Sequence, residues 1–270
     1  MRIVLVGPGR AGMSLGYAFR ESGHDLVGVL GRDSAAEAAG LLGTGALSWD
    51  ELVPAAELVV VGVADDAIAG VADRLAPQMI GVEAAVHISG SVSVSALDPI
   101  AEVGLATGSF HPLQSLPTAE VGRRRLAGSW AAITASDPGL HATLHELASS
   151  LSMVPFDVAD QDKQLYHAGA SAAANYVVGS LALAQRLLAA AGVPWEAAAP
   201  MVAAVVDNVA ELGPQAALTG PIARGDVATV RAQREAVRAA VPELEPDFSA
   251  IGRAVAHLAG RESEFEGVLA

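Results

Sequence analysis

Arg2-Ile3-Val4-Leu5-Val6-Gly7-Pro8-Gly9-Arg10-Ala11-Gly12 is the stretch that decides the fold. Its first five residues carry a branched, apolar run that reads as a buried strand, and three glycines at G-x-G-x-x-G spacing follow at once. Residues 13–22 then read as a helix that Gly23 ends. Between a strand and a helix each glycine has a physical task. Gly7 permits the tight turn, Gly9 lets a pyrophosphate approach the backbone, and Gly12 lets the helix pack on the strand. The helix N-terminus turns free N–H groups and the positive end of its dipole toward the anion. Gly7, Pro8, Gly9, Arg10, Ala11 and Gly12 are therefore the expected phosphate-binding segment of a dinucleotide-binding Rossmann domain.

The pattern continues outward from that turn. Apolar strand signals recur at residues 26–30, 58–63, 85–89, 105–109 and 129–134, with helical signals at 35–42, 67–75 and 138–151. Strands alternating with helices at these lengths predict a doubly wound parallel sheet. Past residue 158 the strand signals stop. Asp160 or Asp162 is the expected cap of one long helix reaching residue 191, about 45 Å at the usual rise. Shorter helices follow at 200–212, 226–240 and 247–259. The expected organisation is thus α/β: a Rossmann domain over residues 1–157, then an all-α domain over 158–270 built on a long central helix. Three short helices cannot cover so long a helix. The small residues Ala168, Gly169, Ala172 and Ala173 on it suit close packing against a second copy, so a homodimer is expected.

Composition excludes several classes of function. The 270 residues suit two domains of ordinary size. A formal charge of −14, with no basic run longer than Arg123-Arg124-Arg125, argues against binding nucleic acid. The lack of cysteine removes disulfides, thiolate catalysis and cysteine-ligated zinc together. The histidines are not read as grouped with carboxylates at ligand spacing, so no metal is expected. No secretory signal is recognised, and the expected location is cytoplasmic. The apolar stretch 168–184 is interrupted by Asn175 and followed by Gln185-Arg186, which reads as a packed helix and not a membrane span.

The chemistry-bearing candidates cluster after the strands. At the end of the second strand, where NAD-selective sites place an acid on the ribose, the chain has Gly31-Arg32. Arg32 can pair bidentately with a 2′-phosphate, which favours NADP, with Ser34 as a further donor. Asp33 as a displaced acid would instead favour NAD. Ala64, ahead of Asp65-Asp66, and Ser89-Gly90, after His87-Ile88, fall where ligands lie in such sheets, at the carboxyl ends of strands. Asp65 and Asp66 also fit simple helix capping. Ser89 and Gly90 are candidates for contacting nicotinamide or substrate. His111-Pro112 follows another strand signal, either as a donor to substrate or as a turn residue bonded to backbone.

Of the 16 basic residues every one but Lys163 is arginine. A lysine can lose and regain a proton near neutral pH when its pKa is lowered, and an arginine cannot. Lys163 and His167 are four residues apart, on one helix face about 6 Å apart along the axis. Asn175 is about 18 Å beyond Lys163 on a straight helix, so it is expected at cofactor, substrate or a second subunit instead. Arg224, in the loop Thr219-Gly220-Pro221-Ile222-Ala223-Arg224-Gly225-Asp226, is a candidate carboxylate clamp.

Taken over its whole length the chain resembles the 6-phosphogluconate dehydrogenase-like two-domain reductases, a group that includes ketopantoate reductase, β-hydroxyacid dehydrogenases and pyrroline-5-carboxylate reductase. More narrowly, Ser109-Phe110-His111-Pro112-Leu113, Asp162-Lys163-Gln164-Leu165-Tyr166-His167-Ala168 and the loop around Arg224 resemble Rossmann-like proteins whose helical domain is of unknown function. In the hydroxyacid branch a lysine near the start of the long helix is followed four residues later by asparagine. This chain has the lysine, Lys163, and departs from the pattern at His167. The resemblance implies hydride transfer between NADPH and a small 2-keto acid or related carbonyl, with Lys163 as proton donor and His167 or His111 orienting the substrate. A C=N reductase and a non-catalytic NADP sensor are the competing readings.

Overall fold

A computed structural model describes residues 1–270. The first part runs β1 (Arg2–Val6), α1 (Arg10–Glu21), β2 (Asp25–Leu30), α2 (Ala35–Leu42), β3 (Ala56–Val61), α3 (Ile68–Leu75), β4 (Val82–His87), α4 (Asp98–Glu102), β5 (Ala106–Leu113), α5 (Ala119–Leu126), β6 (Trp130–Ala135), α6 (Pro138–Ser150) and β7 (Val154–Asp157). The strands form one sheet in the order β2-β1-β3-β4-β5-β6-β7. Along β1 the alternation of side chains splits the core between two faces. Ile3 and Leu5 pack with Leu15, Phe19 and Leu144, and Val4 and Val6 pack with Ile68, Leu75 and Leu97. Burial on both faces explains why β1 reads as a continuous apolar run.

The sheet departs from the expectation of all-parallel strands at one place. β5 and β6 pair antiparallel, while every other neighbouring pair is parallel. β5 also runs on to Leu113, so His111 and Pro112 lie in the strand, opposite Ala132 and Ala131, and not in a turn after it. β4 pairs only as far as Ser109, so Pro112 sits where β5 has β6 as its sole neighbour, a position that tolerates a missing N–H. The edge strand β7, Val-Pro-Phe-Asp, has no counterpart among the sequence signals. Four residues interrupted by proline carry no readable alternation.

Helices make up the rest of the chain: α7 (Lys163–Ser171), a π-helical turn (Ala172–Tyr176), α8 (Val177–Ala190), α9 (Ala199–Leu212), the single turns α10 (Pro214–Ala217) and α11 (Pro221–Arg224), α12 (Val227–Ala240), α13 (Glu245–Leu258) and α14 (Glu262–Leu269). The uninterrupted helix expected from residue 160 to 191 is therefore broken at Ala172–Tyr176. Neither aspartate caps it in the expected way. The turn before α7 starts from Ala159 without a side-chain cap, and the Asp160 carboxylate is engaged elsewhere.

By contacts the chain divides into two compact units, Met1–Ser171 and Ala172–Ala270. Lys163, Tyr166 and His167 thus belong to the first unit, although a junction at 157/158 would assign them to the second. The second unit has a small core made by Val230, Ala256, Phe265, Val268 and Leu269. α8 and α9 bury no residue, and Val178, Met201, Val205, Val206 and Leu212 stand exposed on them. No single helix is long and apolar enough to cross a membrane.

Candidate functional site

The turn between β1 and α1 has the form its glycines predict. Gly7 adopts φ +86°, a conformation that side chains rarely take. A Cβ on Gly12 would lie 2.4 Å from the Gly7 carbonyl oxygen, so the helix can approach the strand this closely only with glycine there. Above Gly9, by contrast, the space is open, the nearest atom to an added Cβ being the Gly62 carbonyl oxygen at 3.9 Å. Gly9 caps α1 without a side-chain hydrogen bond, so the first N–H groups of the helix remain free donors. Arg10 and Arg32 are exposed and their guanidinium groups make no hydrogen bond or ion pair, and Asp33 is exposed beside Arg32. Open backbone, free N–H groups and two unpaired guanidinium groups are the donor set that a dinucleotide's phosphates require. Ala64 is an exposed residue at the end of the neighbouring β3 turn.

A second constellation gathers at the ends of β4 and β5. Lys163, at the start of α7, is buried, and its Nζ donates to the Ser89 carbonyl at 3.2 Å and to Ser109 Oγ at 2.7 Å. Burial lowers its pKa to about 8, with Asp160 and Asp65 pulling the other way. The helical spacing from Lys163 brings Tyr166 and His167 to the same face. The Tyr166 hydroxyl lies 2.7 Å from His111 Nδ1, and the His111 and His167 rings meet edge to face at 5.9 Å. Gly90 makes that meeting sterically possible, since a Cβ there would lie 2.7 Å from His111 Cε1 and 2.8 Å from His167 Cδ2. Burial, then His167 and Lys163, lower the His111 pKa to about 4, and burial raises that of Tyr166 to about 12. Both groups are therefore neutral near pH 7. A Tyr166 hydroxyl that donates to Nδ1 leaves His111 with Nε2–H as its donor.

Several residues contribute more to the site than their sequence reading assigned them. His87 is fully buried; its Nδ1 accepts from the Ser89 N–H at 3.2 Å. Its Nε2 is buried without a hydrogen-bond partner. Burial and then Lys163 lower its pKa to about 4, so the His87 and His111 imidazoles are both uncharged near pH 7. Asp65 does more than shape a turn, because it accepts from Ser91 Oγ at 2.8 Å. Asp160 accepts from Ser93 Oγ at 2.6 Å and from the Val94 N–H at 2.8 Å, and Gln164 donates to the Ser91 carbonyl at 3.1 Å. These bonds fix the segment after β4 to the start of α7 and so hold Lys163 in place. Ser-Gly-Ser-Val-Ser at 89–93 was the legible signal, a polar run too long for a simple turn. Lys163, His111, His167, Ser89 and Gly90 are thus brought together. Asn175 and Arg224 belong to the second unit, where both are exposed.

The expectation that no histidines group with a carboxylate does not hold. His141 and His145, one turn apart on α6, both reach Asp157 at the end of β7. The four-residue spacing was readable, but the third group comes from the strand that sequence signals did not reveal.

Fold and site together define a two-part α/β protein with a nucleotide cradle on a Rossmann-type sheet. Residues 1–112 match the Rossmann-like domain family, and residues 129–255 match the domain of unknown function DUF2520. The chain pairs these two domains, in that order. No protein of curated function matches it in sequence. Among solved structures, a Bacteroides fragilis protein provisionally named an NADP oxidoreductase is 24% identical, with TM-score 0.80 over 95% of this chain and 98% of its own. Protein TM1727 of Thermotoga maritima is 26% identical, with TM-score 0.69 over 94% and 98%. The pyrroline carboxylate reductase of Plasmodium falciparum, solved with NADP bound, is 12% identical, with TM-score 0.63 over 100% and 97%.

Proposed function

We propose that the protein is an NADP-dependent reductase of a small carbonyl compound such as a 2-keto acid, with Lys163 as the proton donor. The observation that carries this reading is a buried lysine on α7 held by the Ser89 carbonyl and the Ser109 hydroxyl beside the neutral imidazoles of His87 and His111, in the compact unit that also bears the glycine cradle. Free N–H groups at the start of α1, with Arg10, would hold the pyrophosphate, and Arg32 would hold a 2′-phosphate. Bound NADPH would supply the hydride. Lys163 Nζ, an ammonium group near pH 7, then gives a proton to the oxygen that gains charge as the carbonyl carbon is reduced. The Ser89 carbonyl and Ser109 hydroxyl aim Nζ and reaccept its hydrogen bonds after the transfer. His111 and His167 orient the substrate by donating to its oxygen atoms.

An imine substrate is the second reading, favoured by the fold shared with a pyrroline carboxylate reductase. A protonated C=N bond needs no proton from the protein when it is reduced, and a cationic Lys163 would repel it. The test is NADPH oxidation with panels of 2-keto acids and cyclic imines, by wild type and Lys163→Met. Loss of keto-acid turnover with NADPH affinity kept supports the proposed role. Unchanged turnover removes Lys163 from the chemistry, and survival on imines alone selects the second reading. Cofactor binding without any turnover by wild type would leave an NADP sensor.

The exposed apolar faces of α8 and α9 support a homodimer formed through the second unit. Helices that bury nothing in a single chain gain a core when a second copy covers them.

A further inference from the structure

Away from Lys163 and the glycine cradle, His141, His145 and Asp157 meet at the edge of the sheet. His141 Nε2 lies 2.9 Å and His145 Nε2 2.8 Å from the same oxygen, Asp157 Oδ1. The two imidazoles face each other at 4.2 Å with a tilt of 34°. No lysine or arginine is paired with Asp157. One carboxylate oxygen can accept from both ring nitrogens, so the trio holds together as a hydrogen-bonded cluster without an ion. It is, however, the arrangement of a metal chelate before the ion arrives.

We propose that His141, His145 and Asp157 form a binding site for a divalent late transition-metal ion, with Zn²⁺ the best match. Two imidazole nitrogens and one carboxylate oxygen suit a borderline ion and not Mg²⁺ or Ca²⁺, which take oxygen ligands. Around tetrahedral Zn²⁺ ligand atoms stand about 3.4 Å apart, as follows from metal–ligand distances near 2.1 Å. The present nitrogen–oxygen separations of 2.9 and 2.8 Å fall about half an ångström short, a change within reach of small rotations of the three side chains. The three side chains are 44%, 31% and 61% exposed, so an ion can enter from solvent and water completes its coordination. The ion ties α6 to the end of β7, just ahead of the turn that leads to Lys163. Its place in the fold makes it a structural clip and not a reaction centre.

The experiment uses the full-length protein, stripped with a chelator and titrated with ZnCl₂ by calorimetry, with Co²⁺ absorption as a report on coordination. Wild type is expected to bind one Zn²⁺ per chain and to show visible Co²⁺ ligand-field bands. H145Q and D157N should each weaken Zn²⁺ binding at least tenfold and lose those bands. H257Q, at a histidine paired with Glu262 alone in the second unit, should leave both unchanged. Circular dichroism checks folding, and H141Q supplies the same reading independently if H145Q unfolds. Failure of wild type to bind stoichiometrically, or unaltered binding in the folded H141Q or H145Q protein, overturns the proposal.

Discussion

Replacing Lys163 with methionine should change how stability depends on pH. Lys163 is 3% exposed, and burial is the main cause that takes its pKa from 10.5 to about 8. Between those two values the unfolded chain binds more protons than the folded one, so stability rises with pH across the window. A lysine stabilised by a carboxylate partner would give the opposite slope. The full difference corresponds to about 3 kcal/mol, of which about 2 kcal/mol would be gained between roughly pH 7 and 9.5. Methionine keeps the length and apolar bulk of the side chain and cannot titrate. It also gives up the bonds to Ser89 and Ser109, a loss without this pH dependence. Urea unfolding of wild type and Lys163→Met, followed by circular dichroism across that range, should show wild type gaining about 2 kcal/mol relative to the variant as pH rises. Stability curves that stay parallel would refute the reasoning, because they would mean that the Lys163 ammonium is solvated in the folded protein.

The other predictions address the cradle, the cofactor and the assembly. Gly12→Ala places a methyl group 2.4 Å from the Gly7 carbonyl oxygen, so it should cost roughly 1–3 kcal/mol of stability and weaken NADPH binding measured by fluorescence titration. Arg32→Ala should weaken NADPH binding about ten- to a hundredfold and leave NADH binding nearly unchanged, since a charge-assisted pair is worth about 1.5–3 kcal/mol. Equal losses for the two cofactors would remove Arg32 from the 2′-phosphate. Val206→Glu, at a position 58% exposed on α9, should convert a dimer to monomer in analytical ultracentrifugation without lowering helix content.

The glycine turn and β1 were legible because their constraints are local. A positive φ at Gly7, a close approach at Gly12 and a strand buried on both faces each leave a mark on adjacent residues. Arg32 and Lys163 could be singled out for the same kind of reason: one stands where an acid is usual, and the other is the sole lysine in an arginine-based chain. The direction of β6 and the existence of β7 were not legible, because strand pairing depends on partners far apart in sequence and β7 has too few residues to show a period. The π-helical turn was hidden for a related reason. Ala172–Tyr176 has ordinary helical composition, so nothing local marks the break.

By itself, then, the sequence determined the presence of β1 to β6 and of α1, α2, α3 and α6 in the first domain, the helical character of the second, and the chemical types available at the strand ends. Tertiary structure decided which of those groups meet. Ser109, on β5, and Ser89, just past the end of β4, reach Lys163, Gly90 makes room for two imidazoles, and His87 is fully buried. Desolvation then lowers the pKa of Lys163, His87 and His111. That effect depends on how much water the packed chain excludes, a property of the folded volume that no spacing of residues along the chain records.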